Sequence, residues 1–224
     1  MFDREGYLSS LTALLKEAFG ERLCYVGLQG SYLRGEQTAQ SDIDIMTVIR
    51  DMTPADLQLY RMAIEKLPDA EKSCGFICGL DEMRHWNPLE IASLVHTTKD
   101  YWGKLQDIVP AWTMEDVRKF VQLGLGNVYH EICHRYVHGT KEENEQAFPL
   151  TCKGVFYLLQ NMHFLKTGVF CATRQELAER LSGRDRQVLE MASACGCGEK
   201  RGFDEAFRLL FDWCGESMIQ LSIP

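Results

Sequence analysis

The sequence lacks an apolar run of the length that a membrane-spanning helix needs, which is about 18 to 20 residues. Its start, Met-Phe-Asp-Arg-Glu-Gly, also lacks the basic segment and apolar stretch of a signal peptide. These two absences predict a cytoplasmic protein that has no membrane partner.

Basic residues are outnumbered by acidic ones. The chain has 24 Lys and Arg against 32 Asp and Glu, which gives a formal net charge of −8 at pH 7. Proteins that coat DNA or RNA need a basic surface, so we do not expect a nucleic-acid partner. The acidic balance suits a cationic substrate or metal-bridged anions, although solubility explains it as well.

The nine cysteines form no CxxC pair and follow no regular spacing. Structural zinc sites and the disulfide frameworks of small secreted domains both show such spacing. We therefore expect mostly buried free thiols in a reducing compartment.

The order of the hydrophobic patterns predicts the architecture. The 224 residues are enough for one large domain or two small ones. Up to about residue 110, strand patterns at 23–28, 43–49 and 74–78 alternate with helical patterns at 3–19, 53–67 and 88–97. Beyond that point only helical patterns follow, with capping boxes that begin at Thr113 and Thr173. We predict an α+β fold in which a small α/β domain with a mixed sheet (residues 1–110) precedes a helical bundle that binds the substrate (residues 111–224).

A glycine-serine pair follows the first predicted strand and opens a polar loop. Gly30 has no Cβ atom, so its backbone can approach a ligand closely. Loop N–H groups and the Ser31 hydroxyl can donate to phosphate oxygens, and Arg34 adds a forked cation that suits phosphate. The loop therefore has the composition of a phosphate-binding segment.

Two aspartates alternate with isoleucines at the start of the second predicted strand. Because strand side chains alternate, the carboxylates of Asp42 and Asp44 face one side, with their Cα atoms about 6.6 Å apart, and Ile43 and Ile45 face the core. Two close carboxylates repel each other unless a cation lies between them. Mg²⁺ commonly binds one or two carboxylates together with substrate phosphates, and Mn²⁺ is the alternative cation. Alone, such a triplet is more often an acidic turn, but the loop upstream favours a metal site.

The combination of Gly30-Ser31, Arg34 and Ser41-Asp42-Ile43-Asp44 resembles the signature of the DNA polymerase β-like nucleotidyltransferase superfamily. The helical second half resembles the substrate-binding bundle of the kanamycin nucleotidyltransferase family, and also the minimal nucleotidyltransferases that pair with HEPN helical domains. The resemblance implies Mg²⁺-dependent transfer of a nucleoside monophosphate from an NTP to a hydroxyl of a small molecule such as an aminoglycoside-like antibiotic. It assigns nucleotide binding to Gly30, Ser31, Arg34 and Ser41, and metal binding and catalysis to Asp42 and Asp44.

Two alternatives to this function stay open. An antitoxin-type nucleotidyltransferase would act on a protein partner or bind it, and a catalytically degenerate relative would bind a nucleotide without turnover. The sequence is also compatible with a homodimer.

The sequence departs from the family pattern in two places, the third metal-binding acid and the general base. The family usually has a third acid on a neighbouring strand, and the predicted strand 74–78 has none. Asp81 and Glu82 lie just beyond it, where they could substitute for that acid or, as we favour, begin a solvated helix. Relatives that modify antibiotics take a general base from the first long helix of the bundle, where Glu131 matches in type and His134 is the alternative. Glu131 is equally suited to an ion pair with Arg135, four residues further on.

Overall fold

The computed structural model describes residues 2–196 and 203–221 of the chain. The chain divides into two compact units, Met1–Trp112 and Thr113–Pro224. The first unit combines helices with a β-sheet, and the described part of the second unit consists of helices and their connections. The predicted α+β organisation is therefore confirmed.

The sheet of the first unit is mixed and has four strands in the order β3-β2-β1-β4. Strand β1 pairs antiparallel with both β2 and β4, whereas β2 and β3 run parallel. The strands span β1 Leu23–Leu28, β2 Ile43–Ile49, β3 Ser73–Gly79 and β4 Lys99–Trp102. The sequence pattern indicated the first three, but β4 is short and mostly exposed and gives no alternating signal.

Two long helices of this unit cover one face of the sheet. The helices of the unit are α1 Arg4–Phe19, α2 Gly30–Arg34, α3 Pro54–Ile64, α4 Leu80–Arg84 and α5 Pro88–His96. Apolar side chains of α1 and α3 pack with those of β1 and β2, including Leu8, Leu11, Val26, Ile45 and Tyr60. Helix α3 ends before the predicted residue 67 because Pro68 cannot continue a helix and restricts the residue before it.

The opposite face of the sheet has a smaller apolar cluster. Tyr25, Met46 and Val48 pack there against α4 residues Leu80 and Met83. Because strand side chains alternate, Asp44 lies on this same face, two residues before Met46. The covered face therefore anchors the strands, and the opposite face presents the carboxylate.

The second unit is a bundle of five helices in its described part: α6 Met114–His138, α7 Lys141–Thr167, α8 Arg174–Arg180, α9 Gly183–Gly196 and α10 Phe203–Leu221. Its core includes Val121, Ile132, Val155, Leu159 and Trp213. The predicted capping boxes at Thr113 and Thr173 are present and begin α6 and α8. No sequence pattern indicated α9 or the five-residue α4.

The described residues define the lengths of the helices and the state of the cysteines. Among the described helices, none combines the length and apolar character that crossing a bilayer requires. The eight cysteines in the described part of the chain are free thiols, and five of them are buried.

Candidate functional site

The turn after β1 is shaped around a carboxylate. Gln29 connects β1 to α2, and Gly30 begins this helix with a positive φ of 69°. A Cβ atom at residue 30 would lie 1.8 Å from Oδ2 of Asp44. Glycine is therefore required for two reasons, the backbone conformation and the space that the carboxylate fills. The structure thus brings Gly30 against Asp44, and Ser31 follows Gly30 in α2.

The aspartate pair has the predicted alternation. Asp42 immediately precedes β2 and is exposed, and Asp44 is half-buried within the strand. Ile43 and Ile45 are 0% and 1% exposed and lie in the core beneath α1 and α3. Asp44 therefore lies on the face opposite to that core, and a shared face for Asp42, just before the strand, stays a prediction.

Arg34 and Ser41 have partners within the loop. Arg34 ends α2, and its Nε donates to Oε2 of Glu36 at 2.8 Å, with 10% of its side chain exposed. The Ser41 Oγ accepts from the backbone N–H of Thr38 at 2.9 Å, and the Ser41 N–H donates to the Thr38 carbonyl at 3.1 Å. These bonds close the turn that leads to Asp42. A contact of either side chain with nucleotide stays a prediction.

The register of the sheet surrounds Asp44 with residues that the sequence analysis did not assign to the site. Cys74 of β3 is the partner of Asp44 in the parallel β2–β3 ladder, and it is exposed. On the other side, the Gln29 backbone N–H donates to the Asp44 carbonyl at 2.8 Å. The Gln29 Nε2 donates to Thr98 Oγ1 at 2.8 Å. The pattern of alternation could have put Gln29 on this face, but the pairing of Cys74 with Asp44 depends on a register that only the sheet defines.

Asp81 and Glu82 do not complete the carboxylate pair. Both belong to α4, which follows the C-terminal end of β3, whereas Cys74 lies near its N-terminal end. Five residues separate Cys74 from Gly79, or about 16 Å of extended chain. The Asp81 carboxylate instead lies 3.7 Å from Nη1 of Arg84. The interpretation of either residue as a substitute third acid is therefore wrong for this structure.

Another carboxylate on the same face, Asp100 of β4, has a structural role. Its Oδ1 accepts from the Tyr25 hydroxyl at 2.8 Å and from the Leu105 N–H at 3.3 Å. Burial, followed by the hydrogen bond to Asp100, raises the pKa of Tyr25, so the phenol keeps its proton and donates. Asp100 therefore fastens β4 to β1.

The donor set fits a hard divalent cation. Within residues 2–196 and 203–221, no three His, Cys, Asp or Glu side chains are grouped so that they could hold a metal ion together. The predicted donors at this site are two carboxylates, that of Asp44 within β2 and that of Asp42 immediately before it. That number is common for Mg²⁺, which takes its remaining ligands from water and substrate phosphates.

The proposed base on α6 is held by two donors. Oε1 of Glu131 accepts from Arg135 Nε at 3.0 Å and from Thr151 Oγ1 at 2.8 Å, so the expected ion pair is present. His130, His134 and His138 are exposed, and the ring centroids of consecutive histidines lie 6.2 and 4.9 Å apart. A catalytic role of Glu131 or His134 stays a prediction.

Comparison with known proteins agrees with the motif and the fold. Residues 14–75 match the family model of the nucleotidyltransferase domain. The crystal structure of spectinomycin adenyltransferase AAD(9) from Enterococcus faecialis with ATP and spectinomycin is similar in fold, with a TM-score of 0.60 over 97% of this chain and 100% of that chain at 14% sequence identity. No curated protein sequence matches significantly. The matched segment contains the Gly30-Ser31 turn and both aspartates.

Proposed function

Because residues 14–75 match the family model of the nucleotidyltransferase domain, we propose that this protein transfers a nucleoside monophosphate from an NTP to a hydroxyl of a small molecule in the cytoplasm. The reaction uses Mg²⁺, or Mn²⁺ in its place. The acceptor belongs to the aminoglycoside-like class. The observation that carries this proposal is the contact between the Gly30 turn and the carboxylate of Asp44.

Each site residue has a role in this proposal. Gly30 and Ser31 bind the triphosphate through backbone N–H groups and the hydroxyl, with further contacts from Arg34 and Ser41. Asp42 and Asp44 hold the cation, which neutralises phosphate charge when it is bound.

The reaction needs one general base. The hydroxyl oxygen of the small molecule forms a bond to the α-phosphorus of the NTP, and the bond from that phosphorus to the pyrophosphate oxygen breaks. The hydroxyl proton passes to Glu131, or to His134 as the alternative. Glu131 suits this role because its carboxylate is partly exposed and is oriented by Arg135 and Thr151.

A small acceptor is supported by the architecture and the charge. The likeness to a solved adenyltransferase extends through the helical unit as well as the sheet unit. The net charge of −8 favours a cationic acceptor over an anionic one.

A second candidate function is nucleotide binding without turnover. The observation that favours it is the identity of Cys74, the residue of β3 that pairs with Asp44. A thiol there supplies no carboxylate, so the cation relies on two protein ligands. Both candidates require nucleotide binding, and they differ in pyrophosphate release.

Isothermal titration of NTP with and without Mg²⁺ tests the binding step, and pyrophosphate release with a panel of aminoglycoside-like acceptors tests turnover. We expect NTP to bind more tightly with Mg²⁺ than in EDTA, and the Asp42→Asn/Asp44→Asn variant to lose that difference. Asp81→Asn/Glu82→Gln is the matched control, since it removes the same charge beyond the other end of β3. Equal NTP affinity in EDTA would exclude the metal role, and binding without pyrophosphate release would favour the second candidate.

A further inference from the structure

Strand β3 is an edge strand with little protection. It is the outermost strand in the order β3-β2-β1-β4, and no strand in the described ranges 2–196 and 203–221 pairs with its outer side. Its seven residues, Ser73–Gly79, include neither a charged residue nor a proline. Soluble proteins usually protect an edge with charges, prolines or bulges, because unpaired backbone groups recruit another strand. An edge of this composition indicates that another strand pairs with it.

The β3 edge is also accessible, and its one backbone departure from extended geometry among the described residues of the strand is Gly75, with a φ of 138°. Its ladder with β2 runs without a register shift from Ser73 to Gly79. Cys74 and Gly75 are exposed, and neither has a bulky side chain that would block an approaching backbone. The edge therefore has the geometry that strand addition requires.

An apolar groove lies beside this edge. It has a volume of about 720 Å³, and α3 and β3 line it with side chains that include Leu57, Ile64 and Ile77. On α3, the side chain of Leu57 is 46% exposed. An edge strand with an apolar groove next to it offers both backbone pairing and apolar burial to a partner.

The charges around the groove are of both signs. Arg61 lines it on α3 together with Glu65, and Glu71 lines it just before β3. All three residues are exposed. A surface that carries an arginine and two glutamates is suited to pairing with a second copy of itself, since a two-fold axis through the groove would oppose the arginine of each copy to glutamates of the other.

We propose that β3 forms the interface of a homodimer, in which it pairs antiparallel with β3 of a second copy about a two-fold axis. This arrangement joins the two sheets into one and puts both α3 helices on the same side of it. The two grooves then face each other, and their apolar side chains become buried. The proposal does not depend on nucleotide transfer, since the interface needs neither Asp42 nor Asp44.

Sedimentation of the full chain over a dilution series is the first test. The expected result is a dimer that dissociates on dilution, with amide hydrogen exchange of residues 73–79 that slows as the protein concentration rises. A protein that stays monomeric over the series overturns the proposal. That outcome would also be expected if β3 binds an extended peptide of another protein instead of a second copy. A dimer without concentration-dependent protection of residues 73–79 overturns it as well.

Charge reversal at the groove is the second test. We expect Arg61→Glu to raise the dimer dissociation constant at least about tenfold, and the added changes Glu65→Arg and Glu71→Arg to bring it back towards the wild-type value. Lys141→Glu is the charge-matched control, because Lys141 is 85% exposed on α7 in the other unit. Circular dichroism checks that each variant is folded, and Leu57→Glu gives an independent disruption within the groove. A dimer that both Arg61→Glu and Leu57→Glu leave unchanged has its interface elsewhere.

Discussion

The carboxylate of Asp44 fills the space that a side chain on residue 30 would need: its Oδ2 lies 1.8 Å from the position of a Cβ atom on Gly30. A residue from the turn after β1 and a residue of β2 thus depend on each other. Substitution of the glycine must move the carboxylate, and a move of that size disturbs any cation that Asp44 holds.

Gly30→Ala and Gly35→Ala form a matched pair for testing this relationship. The two glycines flank α2 with φ angles of 69° and 70°, so alanine costs each about 1–2 kcal/mol of backbone strain. A Cβ atom at residue 35 meets no atom within 4 Å, unlike one at residue 30. We expect a larger loss of thermal stability in Gly30→Ala, because the clash with Asp44 adds to the strain, and a much larger loss of Mg²⁺-dependent NTP binding. Equal losses of NTP binding in the two variants would mean that Mg²⁺-dependent NTP binding does not depend on the position of Asp44.

Arg34→Ala should raise the KM for NTP more than it lowers stability. A charge-assisted hydrogen bond to phosphate contributes about 1.5–3 kcal/mol, which corresponds to a change in KM of about 10- to 150-fold. Glu36→Gln is the control, because it weakens the ion pair at 2.8 Å and leaves the guanidinium in place. In that control, KM should not rise. If both variants lose stability and keep their NTP affinity, Arg34 has only a structural role.

Cys74→Asp should strengthen cation binding. The new carboxylate would lie beside Asp44 in the β2–β3 ladder, where a third negative charge repels the first two without a cation and binds one together with them. We expect a lower melting temperature than wild type in EDTA and a larger rise on addition of Mg²⁺. Cys74→Asn has a similar size without the charge and should show neither effect. An unchanged response to Mg²⁺ in Cys74→Asp would contradict the pairing of this position with the metal site.

Glu131→Gln should lower kcat by about 10²–10⁴-fold, with little change in the KM for NTP, if Glu131 is the general base. His134→Ala tests the alternative base in the same assay. Thr151→Val removes the hydroxyl that donates to Glu131 Oε1 at 2.8 Å. Because this hydroxyl and Arg135 are the two donors that orient the carboxylate, Thr151→Val should also lower kcat, with little change in the KM for NTP. Unchanged kcat in both Glu131→Gln and His134→Ala would mean that the base is another residue.

Asp56 should contribute to the free energy of unfolding of the first unit, and this contribution should decrease at acidic pH. Its carboxylate accepts from both Arg22 Nη atoms, at 2.6 and 3.1 Å, and from the Thr53 N–H at 2.8 Å. The hydrogen bonds of Arg22, followed by that of the Thr53 backbone, lower the pKa of Asp56. A lowered folded-state pKa gives stability that is present above the unfolded value of about 3.9 and is lost as the pH falls through the folded value.

Urea denaturation of wild type and Asp56→Asn at several pH values measures this effect. The difference in unfolding free energy should be largest near neutral pH and should shrink below about pH 4. Arg22→Gln removes the other partner and should also flatten the pH dependence. A difference that stays constant from neutral pH into acid would contradict the assignment.

The sequence alone determined the elements and the chemical groups of the candidate site. Alternation along β2 put Asp42 and Asp44 on one face with Ile43 and Ile45 on the other, because a strand has a period of two residues. The capping box at Thr113 defined the start of α6 by local hydrogen bonds. These features depend on residues close together in the chain, so sequence patterns reveal them.

Only the tertiary structure decided which distant residues meet. The parallel register of β2 and β3 pairs Cys74 with Asp44 and leaves Asp81 and Glu82 beyond the far end of β3. A register is set by the packing of whole strands, and a slip of one residue would turn every side chain of β3 to the other face. The contact between Gly30 and Asp44 likewise depends on the antiparallel pairing of β1 with β2. For that reason the aspartates could be found from local pattern, whereas their neighbours required the folded sheet.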